Sequence, residues 1–368
     1  MAAAQRRLRL VNNQLSPTPT ARRTPRPATS SGGGATLLVR GATIVDGSGS
    51  PAFTGDLVVV GGRIAQVGGE FAGAAAEVVD GRGQILSPGF IDVHTHFDPQ
   101  LCWDGRADPS LRHGVTTVVT GNCSLSLAPV ADTARADRII GMFGRVEDIK
   151  RPTFEEAVPF GNWSRPGGRG SFAAFLEHIA PTLSINVAPL IGHSALRLEV
   201  MGTEAQEREA TQAEIEAMAA LVEEAMAAGC LGISSSRADV DELGRPVPSV
   251  AASVNERTQL AAAMRRGGGG GGRGIWEEVP ELVNVERQIA SIRELGEVSR
   301  AAGVMATFQP LLTLPSDPAR SDILEVLEEL RADGSNVLAQ VTPRDFNSEC
   351  LLPWPRRSQA SLRCCCAQ

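Results

Sequence analysis

The sequence has no tyrosine, a single lysine at Lys150, no histidine after His193 and no acidic residue before Asp46. No apolar run reaches the roughly 18 residues that a bilayer-crossing helix needs, so neither a membrane span nor a membrane partner is expected. Cysteine is sparse and shows no disulfide framework. Cys102, Cys123, Cys230 and Cys350 are scattered, and Cys364, Cys365 and Cys366 are adjacent near the end, a usage that fits a reducing, intracellular compartment. Positive charge is also in short supply. A net charge of -7 argues against a general nucleic-acid binder, which would carry a basic surface. What remains is a globular composition, 42% hydrophobic and 21% charged, in 368 residues. That length accommodates one large α/β barrel and a small satellite domain.

The texture changes along the chain. Residues 1–34 hold Arg6, Arg7, Arg9, Arg22, Arg23 and Arg26 among Ala, Ser, Thr and Pro, with no acid. This composition reads as a disordered leader resembling a mitochondrial or plastid transit peptide; without that address the protein is expected in the cytoplasm. Residues 35–88 read as a small β domain of β-sandwich-like type. Leu37–Arg40, Thr43–Val45, Asp56–Val60 and Arg63–Val67 are rich in β-branched residues and are punctuated by Gly41, Asp46-Gly47 and Gly61-Gly62. In residues 89–348 strand-like and helix-like runs alternate, which implies a parallel sheet covered by helices. Candidate strands are Phe90–Thr95, Thr116–Val119, Ile185–Leu190, Leu231–Ser234, Gly274–Glu277, Val304–Phe308 and Asn336–Val341. The clearest helical patterns run over Glu204–Ala228, Val285–Ala302 and Ser321–Ala332. The fold class expected is therefore α/β, a (β/α)8 TIM-type barrel with about seven of its strands present. A six-glycine run, Gly267–Gly272, reads as a surface insertion, and residues 349–368 as an irregular tail.

The strongest chemical signal is Gly89-Phe90-Ile91-Asp92-Val93-His94-Thr95-His96. Residues two apart on a strand share a face, so His94 and His96 can aim two imidazoles at one point. Imidazole is a common ligand of zinc and related divalent metals, and barrel enzymes place their sites at the C-terminal ends of strands. A metal-binding pair is the expectation.

Pro88 to His96 resembles the first-strand signature of the metal-dependent amidohydrolases, and residues 41–47 and 56–67 resemble their N-terminal β domain. His113-Gly114-Val115-Thr116-Thr117-Val118-Val119-Thr120-Gly121-Asn122-Cys123 is similar to the second-strand region of the D-aminoacylase branch. That resemblance implies Cys123 as a metal ligand, a sensible role for a thiolate. Further likeness lies in Gly192–Arg197, Val200–Gly202, Gly229–Arg237 and Gly244–Ser249. It implies hydrolysis of a linear amide, with Zn2+ or a similar divalent ion as cofactor and a small N-acyl amino acid as partner. His193 and Arg237 are candidate substrate-binding residues, Arg237 through bidentate pairing with a carboxylate, and Arg197 is a weaker candidate for the same task.

Hydantoinases and many dihydroorotases carry a carboxylated lysine on the fourth strand, and Lys150 lies far from it, which disfavours a cyclic amide hydrolase. The D-aminoacylase-like proteins also use histidines from the fifth and sixth strands and an aspartate from the eighth. No histidine follows His193 and no matching aspartate motif is found, so the catalytic base is unknown. Glu277 or, as the chosen candidate, Glu278 takes the vacant ligand position, since carboxylate oxygen is an acceptable zinc ligand. A C-terminally truncated, inactive paralogue that binds at most a metal or a partner is the remaining alternative.

Overall fold

The computed structural model describes residues 34–147, 149–165, 169–268, 274–311 and 319–341. The arginine-rich leader, four of the six glycines (Gly269–Gly272) and the C-terminal tail lie outside the described residues. Contacts divide the chain between Phe90 and Ile91 into two units.

The first unit is a sheet of β1 (Ala35–Ile44), β2 (Phe53–Val60), β3 (Arg63–Val67), β4 (Ala75–Asp80) and β5 (Ile85–Leu86). The order is β3-β2-β1-β4, with β5 also pairing β1. Among the described residues this is one sheet rather than two packed layers. The two short runs expected at Leu37–Arg40 and Thr43–Val45 form one continuous strand. Its register with β2 shifts between Val39 and Ala42, where Gly41 turns through a φ of 67°. Buried Asp56 fixes that bulge by accepting the Gly41 and Phe71 backbone N–H groups at 2.8 Å each. Gly61 and Gly62, at φ 57° and 75°, close the β2–β3 hairpin with the left-handed pair that a tight turn needs. Leu38 and Val58 are the centre of this unit's small core.

The second unit carries a seven-stranded parallel sheet, curled as in a TIM-type barrel, in the order β12-β11-β10-β9-β8-β7-β6. Its strands are β6 (Phe90–Asp92), β7 (Val115–Thr120), β8 (Asn186–Gly192), β9 (Gly232–Ser236), β10 (Ile275–Val279), β11 (Met305–Phe308) and β12 (Val337–Ala339). Each strand neighbours the next in sequence, as alternating β and α segments dictate. The covering helices are α1 (Thr133–Val146), α2 (Arg151–Ala157), α3 (Phe172–Ile179), α4 (His193–Met201), α5 (Gln212–Ala228), α6 (Val254–Gly267), α7 (Val285–Ala302) and α8 (Ala319–Ala332).

Local signals set the helix ends. The pattern read from Glu204 does not give a helix there. A 3-10 turn covers Gly202–Gln206, and α5 begins only after Thr211, whose hydroxyl and the Glu214 carboxylate form a reciprocal capping box. Gly229, at φ 107°, stops it. Helix α7 follows the sequence pattern from end to end, capped by Asn284 and stopped by Gly303. Between sheet and helices lies the main core, in which Ile233, Leu260, Trp276, Ile292 and Phe308 are fully buried. Burying each such side chain contributes about 1.5–3 kcal/mol, so this layer anchors the strand ends that carry the polar side chains described next.

Candidate metal centre

His94 and His96 lie just past the end of β6. The segment stays joined to β7 because Thr95, pointing to the other face, offers both its N–H and its hydroxyl to the Val119 carbonyl, at 3.1 and 2.7 Å. The two imidazoles therefore emerge on the same side, with ring centroids 5.3 Å apart. Cys123 follows β7 by three residues, and its Sγ sits 3.3 Å from His94 Nε2. One donor atom from each of His94, His96 and Cys123 lies within 4.8 Å of the other two.

The loop that presents Cys123 is strained and tightly held. Cys123 and Ser124 have φ of 55° and 67°, a left-handed backbone that non-glycine residues rarely adopt and that persists only where the surroundings impose it. Here they do. Cys123 N–H donates to Glu277 Oε2 at 3.1 Å, and Ser124 N–H donates to Ser234 Oγ at 3.0 Å. The Ser124 hydroxyl bonds Ser194, and the Asn122 amide spans the carbonyls of Thr95 and Val119. Gly121, at φ 78°, donates its N–H to Asp98 Oδ2, and a Cβ there would collide with the Leu190 carbonyl oxygen. Gly121→Ala is therefore expected to cost at least about 1–3 kcal/mol from backbone strain alone, with more from the clash. A lower urea midpoint together with weaker metal retention is the expected result; a wild-type midpoint would show that the turn adjusts freely.

The donors have the electrostatics of a cation site. Burial, aided by His94, pulls the His96 imidazole down to about 3, and burial lowers His94 as well. Both rings are thus neutral near pH 7, the form that ligates. Burial and the Glu277 charge push the Cys123 thiol far up, so a thiolate there calls for a cation beside it. His96 Nδ1 is buried with no partner. The groups around these three supply hydrogen bonds rather than positive charge: Gln340 Oε1 meets His94 Nδ1 at 3.1 Å, and Gln309 Nε2 reaches Cys123 Sγ at 3.1 Å. Two neutral imidazoles and a thiol with lone pairs converging is a donor set that fits zinc or a similar divalent ion.

The other residues singled out by sequence do not join this cluster. Glu278, the chosen fourth ligand, faces the helices. Register decides this: Glu277 aligns with Ser234 and Thr307, whereas Glu278 aligns with Ser235 and Phe308 on the opposite face. Glu278 pairs with Arg237 Nε at 2.7 Å and lies 3.5 Å from Arg257 Nε. Arg237 also binds Glu294 of α7 at 2.7 Å, so its Nε and Nη1 are engaged by two carboxylates of the protein, while its Nη2 is buried without a hydrogen-bond partner. His193 is fully buried with both ring nitrogens engaged, Nδ1 to Ser235 Oγ at 3.1 Å and Nε2 to Glu256 Oε1 at 2.8 Å, which leaves none for substrate. Arg197 is likewise buried, held by Glu256. Glu277, not Glu278, lies on the face that Ser234 and Thr307 share, beside the Cys123 backbone. The available signal was Trp276: an aromatic that belongs between sheet and helices puts its neighbour Glu277 on the inner face.

A family model described as the amidohydrolase family matches residues 77–345. The chain is 42% identical over 202 residues to an N-acyl-D-aspartate deacylase from Alcaligenes xylosoxydans xylosoxydans, covering 55% of this chain and 36% of that protein. A D-aminoacylase structure, described with a binuclear metal centre, superposes with a TM-score of 0.66 at 29% identity, over 84% of this chain and 59% of the other. The N-acyl-D-glutamate deacylase of Bordetella bronchiseptica, solved with zinc and a phosphonate inhibitor, gives a TM-score of 0.61 at 26% identity, over 85% and 59%. The chain thus spans less than two thirds of the length of these proteins. No described helix is long and apolar enough to cross a membrane.

Proposed function

The chain belongs to the amidohydrolase family, and from that premise we propose that it hydrolyses the linear amide of an N-acyl-D-amino acid at a divalent-metal centre held by His94, His96 and Cys123. The observation that carries this reading is the convergence of the three donor atoms within 4.8 Å. The deacylase relatives support the substrate class, since an N-acyl-D-aspartate deacylase and a D-aminoacylase from one organism match at 42% and 39% identity. The sequence of β9, the fourth barrel strand, supports a linear rather than a cyclic amide: it is Gly-Ile-Ser-Ser-Ser, with no lysine to carboxylate.

When bound, a divalent ion supplies Lewis acidity, polarising an amide carbonyl and making water more acidic. The chain's own residues prepare for it. His94 and His96 are kept neutral by burial, so they need release no proton before ligating. Gln340 fixes the orientation of the His94 ring and Gln309 donates to the Cys123 sulfur. The buried hydrogen bonds of Asn122 and Ser124 hold the Cys123 loop in one conformation before any ligand arrives.

The test is an assay of folded, zinc-loaded protein against N-acetyl-D- and N-acetyl-L-amino acids. Turnover of the D series that disappears on chelation and returns with metal is the expected outcome. Hydrolysis unaffected by chelation, or none of either series by metal-replete protein, would refute the proposed activity.

A further inference from the structure

We propose that Glu277 is a ligand of the same metal, completing a set of two imidazoles, one thiolate and one carboxylate; this rests on the reading of His94, His96 and Cys123 as ligands. Glu277 sits at the centre of β10, on the face that its register with Ser234 and Thr307 shares. Its side chain is 1% exposed. One oxygen, Oε2, is tied to the backbone N–H of Cys123 at 3.1 Å, which fastens the carboxylate to the residue that carries the thiol. The other oxygen, Oε1, is buried and has no hydrogen-bond partner. A ligating carboxylate has this division of labour, one oxygen steadied by a hydrogen bond and the other left for the ion.

Charge points the same way. Among the described ion pairs none includes Glu277, and the nearby arginines are committed elsewhere: Arg197 to Glu256, Arg237 to Glu278 and Glu294, Arg257 to Glu278. Asp239 adds a second carboxylate oxygen, Oδ2, that is buried without a partner. A buried carboxylate is ordinarily paired or bound to a metal. With no described arginine paired to it, a divalent ion is the natural counter-charge for this buried carboxylate. Carboxylate oxygen beside imidazole and thiolate is acceptable zinc chemistry.

E277Q separates ligation from positioning, because the glutamine amide oxygen still accepts the Cys123 N–H while the anionic donor is lost. The full chain is stripped of metal and loaded with Co2+, and its ligand-field and thiolate charge-transfer bands are recorded; zinc affinity is then measured by chelator competition. Wild type should show the thiolate-to-cobalt band. E277Q should keep that band, shift the ligand-field bands and bind zinc at least about tenfold more weakly. E277H, which offers a nitrogen donor at the same place, should retain zinc with shifted bands, and it serves if E277Q fails to fold. Ligand-field bands unchanged in whichever variant folds would overturn the assignment and leave Glu277 as a group that positions Cys123. Absence of cobalt from wild type would instead overturn the three-residue centre, and this proposal with it.

Discussion

Replacing His94 and His96 together by alanine should take bound metal from ~1 equivalent per chain to background, and amide hydrolysis should vanish with it. The expectation follows from how few donors the site has. The three clustered side chains supply all of its imidazole, and Cys123 alone is buried too deeply to remain a thiolate without a cation. Both histidines face solvent only partly, so two alanines leave the fold with shorter side chains and no uncompensated charge. The variant should melt near the metal-free wild type and below the metal-loaded one, since a bound ion stabilises whatever state holds it. Inductively coupled plasma analysis alongside thermal melts checks both parts. Retention of a full equivalent by the folded double variant would move the metal elsewhere.

The second large effect is on stability. Glu256, on α6, is fully buried and bridges α4 to its own helix: its carboxylate accepts Arg197 Nη1 at 2.7 and 2.5 Å and His193 Nε2 at 2.8 Å. Arg197 is fully buried too. Glu256→Ala strands that guanidinium in the interior and strips His193 of a partner, so a loss of about 3–5 kcal/mol is expected. Domain stabilities are about 5–15 kcal/mol, so the variant should be close to unfolding at ambient temperature. Glu256→Gln, which keeps an acceptor, should lose less. Burial alone would raise the Glu256 carboxyl, but the bonds and charges of His193 and Arg197 hold it down to about 2 from 4.5. A depressed acid stabilises the fold above its unfolded value and ceases to as pH falls from about 4.5 towards 2. His193, lowered chiefly by burial, acts in the same direction, because below about 6.5 the unfolded chain takes up a proton that the fold resists. Wild type should therefore lose stability on acidification, and Glu256→Ala should lose less over the range from 4.5 down. Urea midpoints measured from pH 7 to pH 3 test this; parallel curves for the two proteins would contradict it.

These two sites differ in how readable they were. The His94-x-His96 pair was legible because strand period and two metal-binding side chains coincide in three residues. The seven barrel strands were legible as β-branched runs between helical ones, and α7 because its cap and its stopping glycine are both local signals. The α5 start was not, since the 3-10 turn over Gly202–Gln206 shares its Ala and Glu content and only the Thr211–Glu214 reciprocity marks the boundary. Glu277 and Glu278 are hard to tell apart in the sequence because both are buried, and the partners that occupy Glu278, Arg237 and Arg257, lie 41 and 21 residues before it, one just past β9 and the other on α6. His193 and Arg197 suggested a substrate site because polar side chains past a strand end commonly line one. Their true partner, Glu256, is 63 and 59 residues further on, a pairing only the fold creates.

Side chains after β6 and β7 are expected to hold one divalent ion jointly. The absorption spectrum of the cobalt-loaded wild-type chain tests it most directly. A thiolate-to-cobalt charge-transfer band that rises to saturation at one equivalent and is missing from C123S is the expected result; a cobalt-bound protein without that band, or one whose band survives in C123S, would contradict it.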